Sequence, residues 1–200
     1  MTHWYKINQD MENCTKIKFS RRFFKSDTNE TGGPVLHVFA DASKVAYRGC
    51  AYLVKGNESA FVMAQNRVAP LKQLTIPQLE LMAVLIGGRL ASHILSSLHV
   101  EKCVLWSDSQ IVLHWFSSKK QLRTFIANRI AEIKELTSEH RWKYCPTQYN
   151  PTYLLSRGIP YEELKSCTLW MRGPEWLTNE KNWPSEFTTE NDYNRRKRRR

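Results

Sequence analysis

Three carboxylates carry the chemistry that this sequence can do. Asp41 closes the run LHVFAD, Asp108 closes CVLWSD, and Glu80 lies between them, 39 residues after the first and 28 before the second. Each aspartate is followed by small polar residues, so each taken singly reads equally well as a helix N-cap or a turn residue. Their equivalent placement at the ends of two neighbouring strands favours a site, because ligands of open α/β sheets bind beyond the carboxyl ends of the strands. Glu80 has Ala83 and Val84 three and four residues on, followed by Gly87, Gly88 and Ala91, and no basic residue stands within helical pairing distance. Three carboxylates about 4 Å apart repel by roughly 4 kcal/mol per pair at an effective dielectric near 20. A divalent cation removes that cost. With no His or Cys in the set, hard oxygen donors favour Mg²⁺ or Mn²⁺, ions that also bind phosphate and assist phosphodiester hydrolysis.

The elements that must position these residues can be read from hydrophobic period. LHVFAD, GCAYLVK and SAFVMAQNRVA are apolar, β-prone runs separated by turns, and they predict a meander of three strands. Between Thr75 and Leu95 the apolar residues Leu79, Met82, Ala83, Ile86, Leu90 and Ile94 recur at helical spacing, with Pro77 suited to the first turn. CVLWSD reads as a central parallel strand, followed by a helix from about Ser109 to Phe116, a second helix in FIANRIAEIKEL and a strand at RWKYCP. The order βββαβααβ predicts an α/β fold with a mixed five-stranded sheet and flanking helices, the long helix making a right-handed crossover between parallel strands.

Bulk properties bound the function classes. The 200 residues, 42% of them hydrophobic, suffice for one main core. The net charge of +11 falls to +5 when Arg195 to Arg200 are set aside, a balance that suits a polyanionic partner or solubility alone. Five widely spaced cysteines without a C-x-x-C pair support neither a disulfide framework nor a zinc knuckle, so an intracellular setting is expected. The N-terminus has no apolar signal region, no run of about 18 uncharged apolar residues exists, and no membrane partner is expected.

FADAS, TIPQLELMA, WSDSQIVLHW, FIANRIAEI and NPTYLLSRG occur in an order that resembles the RNase H region of BEL/Pao-type LTR retrotransposon polyproteins, over about residues 36 to 160 and more loosely into LWMRGPEWL. The resemblance implies an RNase H-like fold, a metal-dependent endonuclease that hydrolyses the RNA strand of RNA–DNA hybrids, and Asp41, Glu80 and Asp108 as both catalytic and metal-holding residues. It divides the chain into a polar segment over 1–33, resembling the connection from reverse transcriptase, an RNase H-like domain over 34–165, a Trp-rich extension over 166–188 and a basic tail over 189–200, expected to be disordered. Reverse transcriptase and integrase regions of a polyprotein are the implied protein partners.

One position departs from the family pattern. Where its last motif reads N-P-A-D, this chain has Asn150, Pro151, Thr152 and Tyr153, and no Asp or Glu occurs between His140 and Tyr161. Tyr153 thus stands at the fourth carboxylate position, and impaired turnover is expected. Arg48, where the family usually has Gly, is a milder departure. Lys119, Lys120, Arg123, Arg129 and Arg157 are candidate nucleic-acid contacts, with a solvated loop or a local structural pairing as the alternative for each. His114 and Trp115 are expected in the core, and no histidine is assigned to catalysis.

Two classes of function stay open: a metal-dependent nuclease, and a catalytically inactive nucleic-acid-binding or scaffolding relic. An aspartic protease would want Gly after Asp-Ser or Asp-Thr, which neither FADAS nor WSDSQ supplies. Transposases and integrases place their glutamate last, whereas here it lies between the two aspartates. The terminal RRKRRR reads as a nuclear localisation signal, a nucleic-acid arm or a solvated tail, leaving cytoplasm and nucleus both open.

Overall fold

The computed structural model describes residues 2–18, 20–25, 32–157 and 159–185. Its centre is a five-stranded sheet of β1 (Val35–Ala42), β2 (Ala46–Lys55), β3 (Glu58–Val68), β4 (Lys102–Ser107) and β5 (Arg141–Tyr144), in the order β3-β2-β1-β4-β5. The first three strands form the expected antiparallel meander, and β4 and β5 run parallel to β1. The helix between β3 and β4, α2 (Ile76–Ser97), makes the crossover. Gln78 Oε1 accepts the Thr75 backbone N–H at 2.9 Å, which holds its first turn.

Alternation along β1 divides the core in two. Leu36 and Val38 face α2, packing with Ala51, Leu53, Leu90, Ile94 and Leu105 in an aliphatic layer. The backbones come close here: a Cβ on Gly87 would sit 3.2 Å from Trp142 and 3.3 Å from the Ala40 Cβ. A side chain there would make Trp142 or Ala40 give by a few tenths of an ångström, so glycine suits this close approach of α2 to β1. Its length and apolar content would suit a membrane span, but most of the helix is buried in this layer. On the same side follow α3 (Gln110–Ser117) and α4 (Thr124–Leu136), the latter burying Ile130 and Ile133.

Phe39 faces the opposite way, with Cys50, Tyr52 and Trp106. This second layer is closed by the chain after β5, namely α5 (Thr152–Arg157), α6 (Tyr161–Ser166), α7 (Thr168–Arg172) and two short 3-10 turns at Glu175–Thr178 and Glu180–Asn182. Trp170 and Leu177 are buried in it, and Trp176 and Trp183 meet the Trp106 ring at 4.9 and 5.3 Å between centroids. Tyr52 donates its hydroxyl to the Trp170 carbonyl at 2.8 Å. Gly173, at φ 75°, supplies the left-handed turn that ends α7, and there its Cα leaves no room for a side chain against Leu177.

The polar segment before Pro34 contains a helix, α1 (Thr2–Cys14), which touches α6. Trp4, Ile7 and Met11 recur at helical spacing, but they stay exposed, so the stripe marks no core. One expectation needs correction: His114 is exposed rather than in the core, while Trp115 on the same helix packs into the layer beneath α2. The basic tail over 189–200 lies outside the described residues.

Candidate carboxylate site

The three carboxylates arrive from three elements at one end of the sheet. Asp41 is the penultimate residue of β1, its strand alternation placing it on the Phe39 side, and it is only 8% exposed. Asp108 follows β4 directly and is half-buried. Glu80, half-buried on the second turn of α2, comes from the other side of the sheet. All three titrate above the ordinary carboxylate range, chiefly because burial disfavours the charged form. Asp41 is pushed up to about 7 by burial and then by the Asp108 charge, with backbone hydrogen bonding at Ala42 and the Arg48 guanidinium acting the other way and Glu80 adding a smaller repulsion. The Asp108 charge also raises Glu80. The three therefore share one electrostatic environment.

Two hydroxyls hold two of them. Ser109 Oγ donates to Glu80 Oε2 at 2.6 Å and accepts the Val112 N–H at 3.3 Å, so one side chain both fixes Glu80 and caps α3. Thr147 Oγ1 donates to Asp108 Oδ2 at 2.8 Å. With those partners, no three His, Cys, Asp or Glu side chains among the described residues converge closely enough to grip an ion. The donor set still fits a hard divalent cation, being all carboxylate oxygen, partly desolvated and mutually repelling. Closing it on an ion requires the carboxylates to draw together from these positions.

The loop after β5 is tied to the same place. Asn150, fully buried, donates its amide to the Ala40 carbonyl at 3.0 Å and accepts from the Thr152 N–H and hydroxyl at 3.2 and 2.6 Å. This sets the start of α5 against β1 and β2, with Tyr153 as its second residue, half-buried. Ser109, Thr147 and Asn150 were absent from the residues chosen by sequence. The first sits beside an aspartate in WSDSQ and could have been found as a cap. Thr147 and Asn150 depend on a loop closing over a distant strand, which spacing does not reveal.

The basic candidates separate. Lys119 and Lys120 are exposed between α3 and α4, and Arg123 is exposed at the α4 N-cap. Arg129 is engaged inside the fold: its Nη1 donates to the Phe125 carbonyl at 3.0 Å, its Nε to Met82 Sδ at 3.1 Å, and its guanidinium lies 3.5 Å from the Phe125 ring centroid. The structural reading of Arg129 is the one the geometry supports. Arg157 ends α5, and its side chain is outside the described residues. His37 is buried and accepts the Trp106 Nε1–H on Nδ1 at 3.1 Å, with burial lowering it to about 3, so it is a neutral core group.

Comparison with known families matches residues 1–109 to the Pao retrotransposon-like RNaseH-like domain. Among solved structures, the chain is similar to RNase H1 of Halobacterium salinarum at 17% identity and a TM-score of 0.47, over 66% of this chain and 99% of that one. It is similar to the N-terminal RNase H domain of a Mycobacterium tuberculosis protein at 14% identity and a TM-score of 0.47, over 62% and 90% respectively. The foamy viral protease-reverse transcriptase in complex with RNA/DNA hybrid aligns at 12% identity and a TM-score of 0.39, over 66% of this chain and 20% of that one. No curated protein matches.

Proposed function

Because the chain belongs to the Pao retrotransposon-like RNaseH-like domain family, we propose that it is an RNase H-type endonuclease acting on the RNA strand of RNA–DNA hybrids. The observation that carries this reading is the gathering of Asp41, Glu80 and Asp108, all raised above the usual carboxylate range, at one end of β1, β4 and α2. A divalent cation, Mg²⁺ or Mn²⁺, would supply there a Lewis acid for the phosphate and a means of activating water. Asp41 and Asp108 hold that cation from adjacent parallel strands, and Glu80 completes the set from α2. Ser109 and Thr147 hold Glu80 and Asp108 before the cation binds, and binding exchanges those hydroxyls for the ion. Lys119, Lys120 and Arg123 contact the hybrid backbone, an electrostatic role that needs exposure rather than exact placement. The chain works beside reverse transcriptase and integrase regions of a polyprotein, inside the cell, in cytoplasm or nucleus.

Cleavage of a labelled hybrid with Mg²⁺ or Mn²⁺, lost in Asp108→Asn, is the expected result. No cleavage in either metal would sink the enzymatic reading. A second reading, a binding or scaffolding module without turnover, is favoured by Tyr153 at the position where the resemblance implies a fourth carboxylate. Tyr153→Asp separates the two: activity that appears only in that variant makes the natural chain a binding module.

A further inference from the structure

We propose that the cavity between the turn after β5 and the Trp-rich extension is a nucleobase site, which takes one unpaired base of a strand lying across the carboxylates. The inference rests on the nucleic-acid reading given above and adds a second contact, to a base rather than to phosphate. The turn is Thr147–Tyr149, and both of its ends are tied down. Thr147 donates to Asp108 at 2.8 Å, and Asn150, directly after the turn, donates to the Ala40 carbonyl at 3.0 Å. Tyr149 is nevertheless 43% exposed. Among the described residues the aromatic ring that it meets is Trp176, at 6.4 Å between centroids and 83° between planes.

Trp176 is the fixed wall, held by Trp106 at 4.9 Å and Phe39 at 6.3 Å in the aromatic layer. Tyr149 is the exposed wall. With the two planes near a right angle, a flat heterocycle stacked on one ring meets the other edge to face, and both arrangements are favourable. The cavity measures about 620 Å³, within the range of small-ligand sites. Gln148, Thr168 and Asn182 line it with exposed side chains that make no hydrogen bond among the described residues. Their amides and hydroxyl can both donate and accept, as base edges require. The charged residue in the lining is Glu175, and among the described residues no Lys or Arg joins it. A phosphate is therefore repelled, and a neutral base is not. Lys119, Lys120 and Arg123, the candidate backbone contacts, flank α3 and α4 on the α2 side, whereas this cavity belongs to the aromatic side. The carboxylates lie where the two sides meet, so a strand can be held by its phosphates on one side and by a base on the other.

The test is binding of the full chain to two fluorescently labelled RNA–DNA hybrids, read by anisotropy in EDTA so that neither is cut. One hybrid is blunt, and the other has its RNA strand extended at one end or the other by a few unpaired nucleotides. The wild type should bind the extended hybrid about tenfold more tightly, the size of one base stacked on an aromatic ring. That gain should vanish in Tyr149→Ala and survive in Tyr149→Phe, which keeps the ring. It should also vanish on the wild type when the extension is abasic with its phosphates intact. A gain at neither end, a gain that the abasic extension keeps, or one that Tyr149→Ala leaves untouched would overturn the proposal, while binding of the blunt hybrid upholds the reading beneath it. No binding of either hybrid would remove both. Should Tyr149→Ala fail to fold, natural against abasic extension on the wild type still decides.

Discussion

The two faces of the sheet are built on different principles. The α2 face is aliphatic, closed by a helix that comes straight after β3, and tightened by Gly87 and Gly49 where helix and strands nearly touch. The opposite face is aromatic and assembled by the end of the chain, with Trp170, Trp176 and Trp183 gathered on Phe39, Tyr52 and Trp106. Close packing on the first face follows from a local helical stripe. On the second it depends on rings meeting in stacked, tilted and edge-to-face pairs and on hydrogen bonds such as Tyr52 to Trp170, across more than a hundred residues of sequence. The carboxylates stand where the faces meet, Glu80 coming from the first and Asp41 from the second.

The comparison is tested most severely at Trp106. Trp106→Ala empties the middle of the aromatic layer and should cost about 3–5 kcal/mol in urea unfolding; a loss under about 1 kcal/mol would mean that the extension does not lean on this ring. Next comes the rim between the faces. The raised Asp41 makes the folded, metal-free protein hold a proton that the unfolded chain releases near the ordinary carboxylate value, so stability is full below that value and falls as pH rises towards about 7. The fall should be on the order of a few kcal/mol at most, and Asp41→Asn should flatten it in pH-dependent urea melts. A metal-free wild type equally stable at pH 4 and pH 7 would contradict this.

A smaller effect is expected on the aliphatic face. Gly87→Val forces a side chain against Trp142 and Ala40 and should destabilise by about 1–3 kcal/mol, with hybrid cleavage falling too if α2 is lifted and Glu80 with it. A thermal melt that does not move would show that the helix can retreat freely. Smallest is Tyr52→Phe, which removes the bond to the Trp170 carbonyl together with longer contacts to the Leu169 carbonyl and the Cys50 thiol, and should cost about 1 kcal/mol. If that variant loses as much as Trp106→Ala, the hydrogen bond rather than the rings holds the extension.

The same contrast explains what could be read from sequence. The succession of strands and helices, α2 above all, is legible because alternation and helical spacing report directly on a nearby buried face, as Leu79, Ile86 and Leu90 do. The Trp-rich segment could be recognised as packed, but its partners could not, since short helices and 3-10 turns carry no period. Helix α1 shows the opposite failure: it has a stripe, yet the stripe faces solvent. At the site, Arg48 reads from the sequence as a mild departure from the family pattern. Only the register opposite Asp41 gives its charge a meaning.

The hydroxyl of Ser109 has one more consequence. Because it meets Glu80 on one side and the Val112 amide on the other, the exchange rate of that single amide proton becomes a gauge of Glu80. Val112 lies in the first turn of α3, where an amide has no helical carbonyl to bond, so its protection from solvent deuterium depends on the cap. When Glu80 swings away towards a ligand, Ser109 is freed of one of its two bonds, and the signal of one peptide group will report that movement from outside the site, without any substrate being cut.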